Sequence, residues 1–323
     1  MCGIAGFITK ADTNSLVEKQ RTLANMCHAI WHRGPDNDGS WSDEKVGVWL
    51  GHQRLSIIDL SQAGHQPMQS PRGRYVIIFN GEIYNHLSLR QTLEADGNAP
   101  SWCGHSDTET LLAGFEIWGI QRTVERAVGM FAFAVWDKKN STLTLGRDRF
   151  GEKPLYYGWQ GHGDSAVFLF GSELKALQKH PAFKKNINRG ALSLQLRHNC
   201  IPAPYSIYEG ISKLLPGSLL SVSRQKPEPK VWVYWSLVDV AKSGVANSFS
   251  GSDKQAIDKL ELLLKDAVSK QMMADVPLGA FLSGGVDSST IVSLMQAQSA
   301  RRVKTFSIGF NEEGYDEAKH AKM

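Results

Sequence analysis

The sequence predicts two architectures in one chain: an α+β amino-terminal part, then the opening of an α/β domain with a parallel sheet. Three observations carry this. Strand-like runs bunch before about residue 175 with few helices between them, which argues α+β over alternating βαβ units. Pro181, Pro202, Pro204, Pro216, Pro227 and Pro229, followed by the polar stretch AKSGVANSFSGS (241–252), mark a transition and a linker. From residue 253 the pattern becomes helix, strand, helix, strand.

The elements follow in order. SLVEKQRTLANMCHAI places Leu16, Leu23, Met26 and Ile30 near helical spacing. KVGVWLG (45–51), YVIIFNG (75–81), GMFAFAVWD (129–137), STLTLGRD (141–148) and AVFLFGSE (166–173) are β-branched or aromatic runs bounded by Gly, Asp or Asn, and read as strands. SDTETLLAGFEIWG reads as a helix. Ser106 and Glu109 form its capping box, and Leu111, Leu112 and Phe115 its apolar face. A second capping box, Ser252 with Gln255, opens a stripe of Ile257, Leu260, Leu264, Val268 and Met272, which Pro277 stops. LGAFLSGG then reads as strand and turn, STIVSLMQAQ as helix and VKTFSIGF as strand. The expected domains are 1–220 and 253–323, with 221–252 as linker.

Bulk properties narrow the class. At 323 residues, 42% hydrophobic and 21% charged, the chain is that of an ordinary globular protein of two domains. A net charge of +4 with no Lys/Arg block disfavours a nucleic-acid partner. Cys2, Cys27, Cys103 and Cys200 form no CxxC pair, so zinc is not expected, and their scatter suits a reducing compartment. MCGIAGFITK lacks the basic start and apolar core of a signal peptide, and MFAFAVW is too short to span a bilayer. A soluble cytoplasmic protein with no membrane partner is expected.

The chemistry begins at the amino terminus. With Met1 removed, Cys2 carries a thiol and a free α-amine on one carbon. The amine titrates near neutrality and can take the thiol's proton, giving nucleophile and base in one residue. Asn80 and Gly81, at the end of a strand run, offer a side-chain amide and a backbone N–H for an oxyanion hole, or else a hairpin turn. Arg54 can grip a carboxylate, and Asp107 can pair with an ammonium or simply favour its helix dipole. Together, thiol, oxyanion donors, guanidinium and carboxylate suit an α-amino acid with an amide side chain, which points to glutamine. His32 reads as structural, because the α-amine already fills the role of base. Arg147, Asp148 and Arg149 read as a salt-bridge network, and Phe79, Tyr84, Phe131, Phe133 and Trp136 as core.

MCGIAGF, HRGPDNDG, HQRLSIIDLS, FNGEIYN, SDTE and RDRFGEKPLYY, in that order over roughly residues 1–220, resemble the glutaminase domain of class II (amino-terminal nucleophile) glutamine amidotransferases. The resemblance implies hydrolysis of glutamine to glutamate and ammonia. It implies Cys2 as nucleophile, Asn80 and Gly81 as the oxyanion hole, and a glutamine site of Arg54, Leu55, Ser56, Ile57, Ile58, Asn80, Gly81, Glu82 and Asp107. The implied fold is a four-layer αββα sandwich of antiparallel sheets, of the amino-terminal-nucleophile type.

SGGVDSS (283–289) lacks the GK[ST] ending of a Walker A loop but shares its physical logic. Gly284 and Gly285 let backbone N–H groups face an anion at a helix start. Ser283, Ser288 and Ser289 add hydroxyls, and Asp287 can reach Mg²⁺. The string resembles the pyrophosphate loop of ATP pyrophosphatases. Joined to a class II glutaminase, it is similar to the glutamine-dependent asparagine synthetases. That likeness implies β-aspartyl-AMP made from aspartate and ATP, then displacement of AMP by tunnelled ammonia. It implies an ATP site of Phe281, Ser283, Gly284, Gly285, Asp287, Ser288 and Ile308, on an incomplete Rossmann-like sheet. Partners would be glutamine, aspartate, ATP and a second copy in a homodimer. Other readings are amidation of another carboxylate, such as a sugar acid or natural-product intermediate, and a regulatory protein with degenerate sites, which the intact motifs disfavour. The resemblance predicts a domain continuing past residue 323, so the chain is expected to be a fragment.

Overall fold

Strand β1 (Gly3–Thr9) is buried along its whole length, and its alternation sets the layers. Ile4 and Ile8 point into one hydrophobic core, Ala5 and Phe7 into another. The computed structural model describes residues 1–9, 15–312 and 316–322. These divide into two units, Met1–Val240 and Ala241–Met323.

In the first unit the strands after β1 are β2 (Asn37–Asp43), β3 (Val48–Arg54), β4 (Met68–Gln69), β5 (Tyr75–Ile83), β6 (Gly129–Asp137), β7 (Thr142–Arg147), β8 (Tyr156–Gln160), β9 (Val167–Gly171), β10 (Ser212–Lys213), β11 (Ser218–Val222) and β12 (Lys230–Val233). The helices are α1 (Leu16–His28), α2 (His86–Ala95), α3 (Asp107–Ile117), α4 (Ile120–Arg126), α5 (Leu174–Leu177), α6 (Arg189–His198) and α7 (Leu237–Ala246), the last crossing the division. The strands form two antiparallel sheets, ordered β10-β8-β9-β1-β3-β2 and β12-β11-β7-β6-β5-β4.

Three cores separate four layers. Ile4, Ile8, Leu50, Val76, Ile78, Ala132, Ala134 and Phe170 fill the space between the sheets. The opposite face of β5 and β6 (Ile77, Phe79, Phe131, Phe133) packs on Leu111, Leu112 and Phe115 of α3. The opposite face of β1, β3 and β9 (Phe7, Trp49, Leu169) packs on Leu23 and Met26 of α1 and Leu177 of α5. This is the αββα sandwich, and the period-two alternation of each strand is what produces it.

Several details depart from the sequence reading. Ser106 accepts from the Glu109 N–H, but Glu109 does not close the capping box. Its carboxylate goes instead to the N–H groups of Cys103 (2.7 Å) and Gly104 (3.1 Å) and to Arg90 (3.2 Å), tying down the loop before α3. The stretch 221–252 holds the end of β11, β12 and α7. Its prolines 227 and 229 sit in the loop between two paired strands. Arg147, Asp148 and Arg149 bind backbone rather than each other. The Arg147 guanidinium donates to the carbonyls of Lys153, Leu214 and Gly151, and Arg149 to that of Glu125. The Asp148 carboxylate accepts from the N–H groups of Phe131, Phe150, Glu152 and Lys153.

The second unit contains α8 (Asp253–Gln271), β13 (Gly279–Phe281), α9 (Val286–Ala297), β14 (Lys304–Phe306) and α10 (Ala318–Ala321). Ser252 and Gln255 form the full capping box of α8. β13 and β14 pair in parallel, Gly279 opposite Lys304. Val268, Leu294 and Met295 make a small core with Leu264, Met272, Ala280 and Val303. Ile257 and Leu260, the first residues of the expected stripe, are exposed. Among the described residues no helix is long and apolar enough to cross a membrane.

Candidate active site

Four elements of the sandwich bring the amino-terminal constellation together. Cys2 precedes β1, Arg54 ends β3, Asn80 to Glu82 lie near the end of β5, and Asp107 begins α3. The pairing of Gly3 with Gln53 carries Cys2 to the segment just after β3. A cavity of about 120 Å³ opens there, lined by Cys2, Arg54, Leu55, Ile57, Ile58, Asn80, Gly81, Glu82 and Asp107. Of the expected glutamine site only Ser56 is outside the lining, and its N–H instead binds the Asp36 carboxylate at 2.8 Å.

Cys2 is held from both sides. The Leu55 N–H donates to Sγ at 3.4 Å, and Sγ–H donates to the Leu55 carbonyl at 3.5 Å. Arg33 Nε donates to the Cys2 carbonyl at 2.9 Å while its Nη1 grips Glu173 at 2.9 Å. His32 binds the same Glu173 at 3.1 Å, a structural place. Burial pushes the thiol pKa up, and the Leu55 N–H draws it back. Burial also lowers the pKa of the terminal ammonium, which here belongs to Met1, and Arg33 and Lys153 add to that lowering.

Asn80 is the unusual member. It is buried, yet neither its Nδ2 nor its Oδ1 has a hydrogen-bond partner. Buried polar groups are nearly always paired, and here the cavity is what the amide faces in place of a protein partner. Gly81 follows it where β6 runs close. A Cβ there would overlap the Met130 carbonyl and press on Phe131. Asp107 is buried, accepts from the Ile83 N–H at 2.8 Å, and has its pKa raised to about 6 by burial. It is therefore mostly ionised at neutral pH. Glu82 is half-buried, with its pKa raised by burial and drawn back by Lys153.

The Arg54 guanidinium donates to the carbonyls of Asp59 and Ser61. Asp59 takes a left-handed backbone (φ 56°), and its carboxylate knots the loop through Ser61 and the His105 N–H. A Cβ on Gly64 would overlap the guanidinium, so glycine is needed beside it.

Sequence reasoning missed Gly64, Gln66, Thr108, Met130 and Lys153, all of which line the cavity. Lys153 lay within a quoted motif, whereas Gln66 has no signal beyond its place next to Pro67.

In the second unit the expected loop joins β13 to α9, with Gly284 at φ 82°. Ser283 and Ser288 hydroxyls pair at 2.9 Å, and the Gly285 N–H donates to Ser283 Oγ at 3.4 Å. Gly284 and Gly285 border an open groove of about 670 Å³ between α8 and α9, whereas Phe281, Ser283, Asp287, Ser288 and Ile308 do not. Phe281 and Ile308 are exposed. Among the described residues no three His, Cys, Asp or Glu side chains cluster as metal ligands.

Comparison with known proteins agrees with this geometry. Residues 1–235 match the family model of the glutamine amidotransferase domain, and residues 259–323 that of asparagine synthase. The chain belongs to the class II glutamine amidotransferase family, with a matching asparagine synthase segment after it, and is an enzyme. Over its full length it is 37% identical to a Methanocaldococcus jannaschii protein provisionally named asparagine synthetase (glutamine-hydrolysing) 2, covering 62% of that protein. It is 35% identical to asparagine synthetase (glutamine-hydrolysing) 3 of Bacillus subtilis over 97% of this chain and 48% of that one. The chain thus spans about half to three-fifths of these relatives. A solved glutamine phosphoribosylpyrophosphate amidotransferase from B. subtilis superposes with a TM-score of 0.51 at 17% identity, over 72% of this chain and 49% of that one, and shares the fold.

Proposed function

We propose that the first unit hydrolyses glutamine at Cys2 and that the whole protein passes the ammonia to an ATP-activated aspartate, forming asparagine, AMP and pyrophosphate. The observation that carries the first half is the buried, unpaired Asn80 amide sharing one cavity with the Cys2 thiol, Arg54 and Asp107. In this reading Met1 is removed and the Cys2 amine takes the thiol proton. Sγ attacks the side-chain carbonyl carbon of glutamine, and Asn80 Nδ2 with the Gly81 N–H stabilises the oxyanion. The amine then protonates the leaving ammonia, and water hydrolyses the thioester to glutamate. Arg54 and the segment through Ile58 receive the substrate carboxylate, and Asp107 and Glu82 its ammonium. The second half rests on the SGGVDSS loop and on what the relatives are named. Magnesium carried by ATP would neutralise phosphate charge beside Asp287. Free thiols at all four cysteines suit a reducing setting.

The test is glutamate release from glutamine by the chain and by Cys2→Ala, with intact mass reporting loss of Met1. We expect hydrolysis by the processed wild type and none above background in the variant. Retained hydrolysis in Cys2→Ala refutes the nucleophile assignment.

A further inference from the structure

Asn80 makes no hydrogen bond of its own, so nothing on its side chain fixes where the amide points. Its orientation must come from the backbone that carries it. On one side β5 is paired with β6 through this region, Asn80 opposite Ala132. On the other, β4 pairs only at Met68–Ile77 and Gln69–Val76. Continued by two residues, that register would set Gln66 opposite Phe79. The backbone rung is replaced by a side chain. Gln66 Oε1 accepts from the Phe79 N–H at 2.7 Å. The Phe79 carbonyl, half of the peptide joining Phe79 to Asn80, lies 3.0 Å from His52 Nε2. A carbonyl only accepts, so His52 carries its proton on Nε2, and its Nδ1 is left without a partner. His52 is fully buried, with its pKa lowered to about 3 by burial, and is neutral. Gln66 also reaches the other end of the cavity. Its Nε2 donates to Thr108 Oγ1 at 3.3 Å, and that hydroxyl donates to Asp107 Oδ1 at 3.4 Å.

We infer that Gln66, with His52, is a positioning residue for the glutaminase reaction: the two side chains hold the N–H and the C=O of Phe79 along the edge that β4 leaves unpaired, and through that backbone set the Asn80 amide, while Gln66 ties that setting to Asp107. The inference rests on the glutaminase reading above. A misplacement of about 1 Å at a reacting centre can cost about 100-fold in rate. The nucleophile is held separately, by Leu55 and Arg33. Loss of the clamp therefore spares the reactivity of Cys2.

Gln66→Met removes both bonds at similar length, and Gln66→Glu keeps the acceptor for the Phe79 N–H. Each is assayed for glutamine hydrolysis, for Cys2 alkylation by iodoacetamide, which needs no oxyanion donor, and for urea unfolding. We expect Gln66→Met to lower kcat about 100-fold with alkylation unchanged, and Gln66→Glu to recover at least about ten-fold of that loss. If Gln66→Met does not fold, His52→Leu, which removes the carbonyl-side bond, must show the same split between kcat and alkylation. A kcat within about three-fold of wild type in the folded variants overturns the inference, as does an equal loss of alkylation. A processed wild type with no glutaminase activity overturns the reading beneath it, and the inference with it.

Discussion

The Asn80 amide has no protein partner to support folding, so one substitution separates its role in catalysis from any role in stability. Asn80→Ala removes a donor and an acceptor that no protein group pairs, on the wall of the cavity. Each such group costs about 1–3 kcal/mol to bury. The cavity it lines is roomy enough for water to pair the amide, so the variant escapes little of that cost. Against it stands the lost packing of one amide, softened because the space opens into the existing cavity of about 120 Å³ rather than forming a closed void. We expect the variant to lie within about 1 kcal/mol of wild type, read from urea unfolding midpoints with an unchanged slope. In the oxyanion reading the same change lowers kcat for glutamine hydrolysis by about 10²–10³, equivalent to about 2.7–4 kcal/mol of transition-state stabilisation. Glutamate release at saturating glutamine gives kcat directly. A variant less stable by more than about 1 kcal/mol, with kcat within ten-fold of wild type, would show that the amide is structural and refute the reasoning.

Two further outcomes follow. The pKa of Asp107 is raised from 3.8 to about 6 by burial, so the folded state binds its proton more tightly than the unfolded state. Stability therefore falls as pH rises from about 4 to 6, by up to about 3 kcal/mol, and Asp107→Asn should flatten that slope in urea titrations. Because the carboxylate is the proposed ammonium ligand, KM for glutamine should rise as pH drops below about 6 in wild type; a KM flat down to pH 5 counts against the role. Asp148→Ala strips the partner from four backbone N–H groups around a fully buried carboxylate and should cost at least about 4 kcal/mol in urea unfolding, whereas a loss under about 1 would contradict the bonding described.

Legibility varied with how local the cause was. β6 was readable to the residue (129–137), because an unbroken apolar run between Gly and Asp has few other fates. β1 is central yet illegible as a strand, because Gly3 and Gly6 hide the alternation of Ile4 and Ile8. Cys2, Arg54, Asn80 and Asp107 were nominated by their chemistry, and long-range pairing did bring them into one cavity. Gln66 was invisible for the converse reason: its role depends on β4 ending two residues short, which no local pattern announces. Glu109 shows a motif read correctly in half, since a tertiary partner, Arg90, competed for the carboxylate.

The central place of β1 bears on the timing of synthesis. Its partners are β3 and β9, and β9 begins only at Val167. At ribosomal speeds of about 5–20 residues per second, that second neighbour emerges roughly 10–30 s after the amino terminus. Until then β1 lacks one flank. Once β9 docks, β1 is flanked on both sides, and Met1 lies half-exposed at the cavity beside Cys2. A folded chain thus still presents Met1 for removal, so in the reading in which Cys2 uses its own amine, specific activity should track the trimmed fraction and rise when a processing aminopeptidase is added after folding.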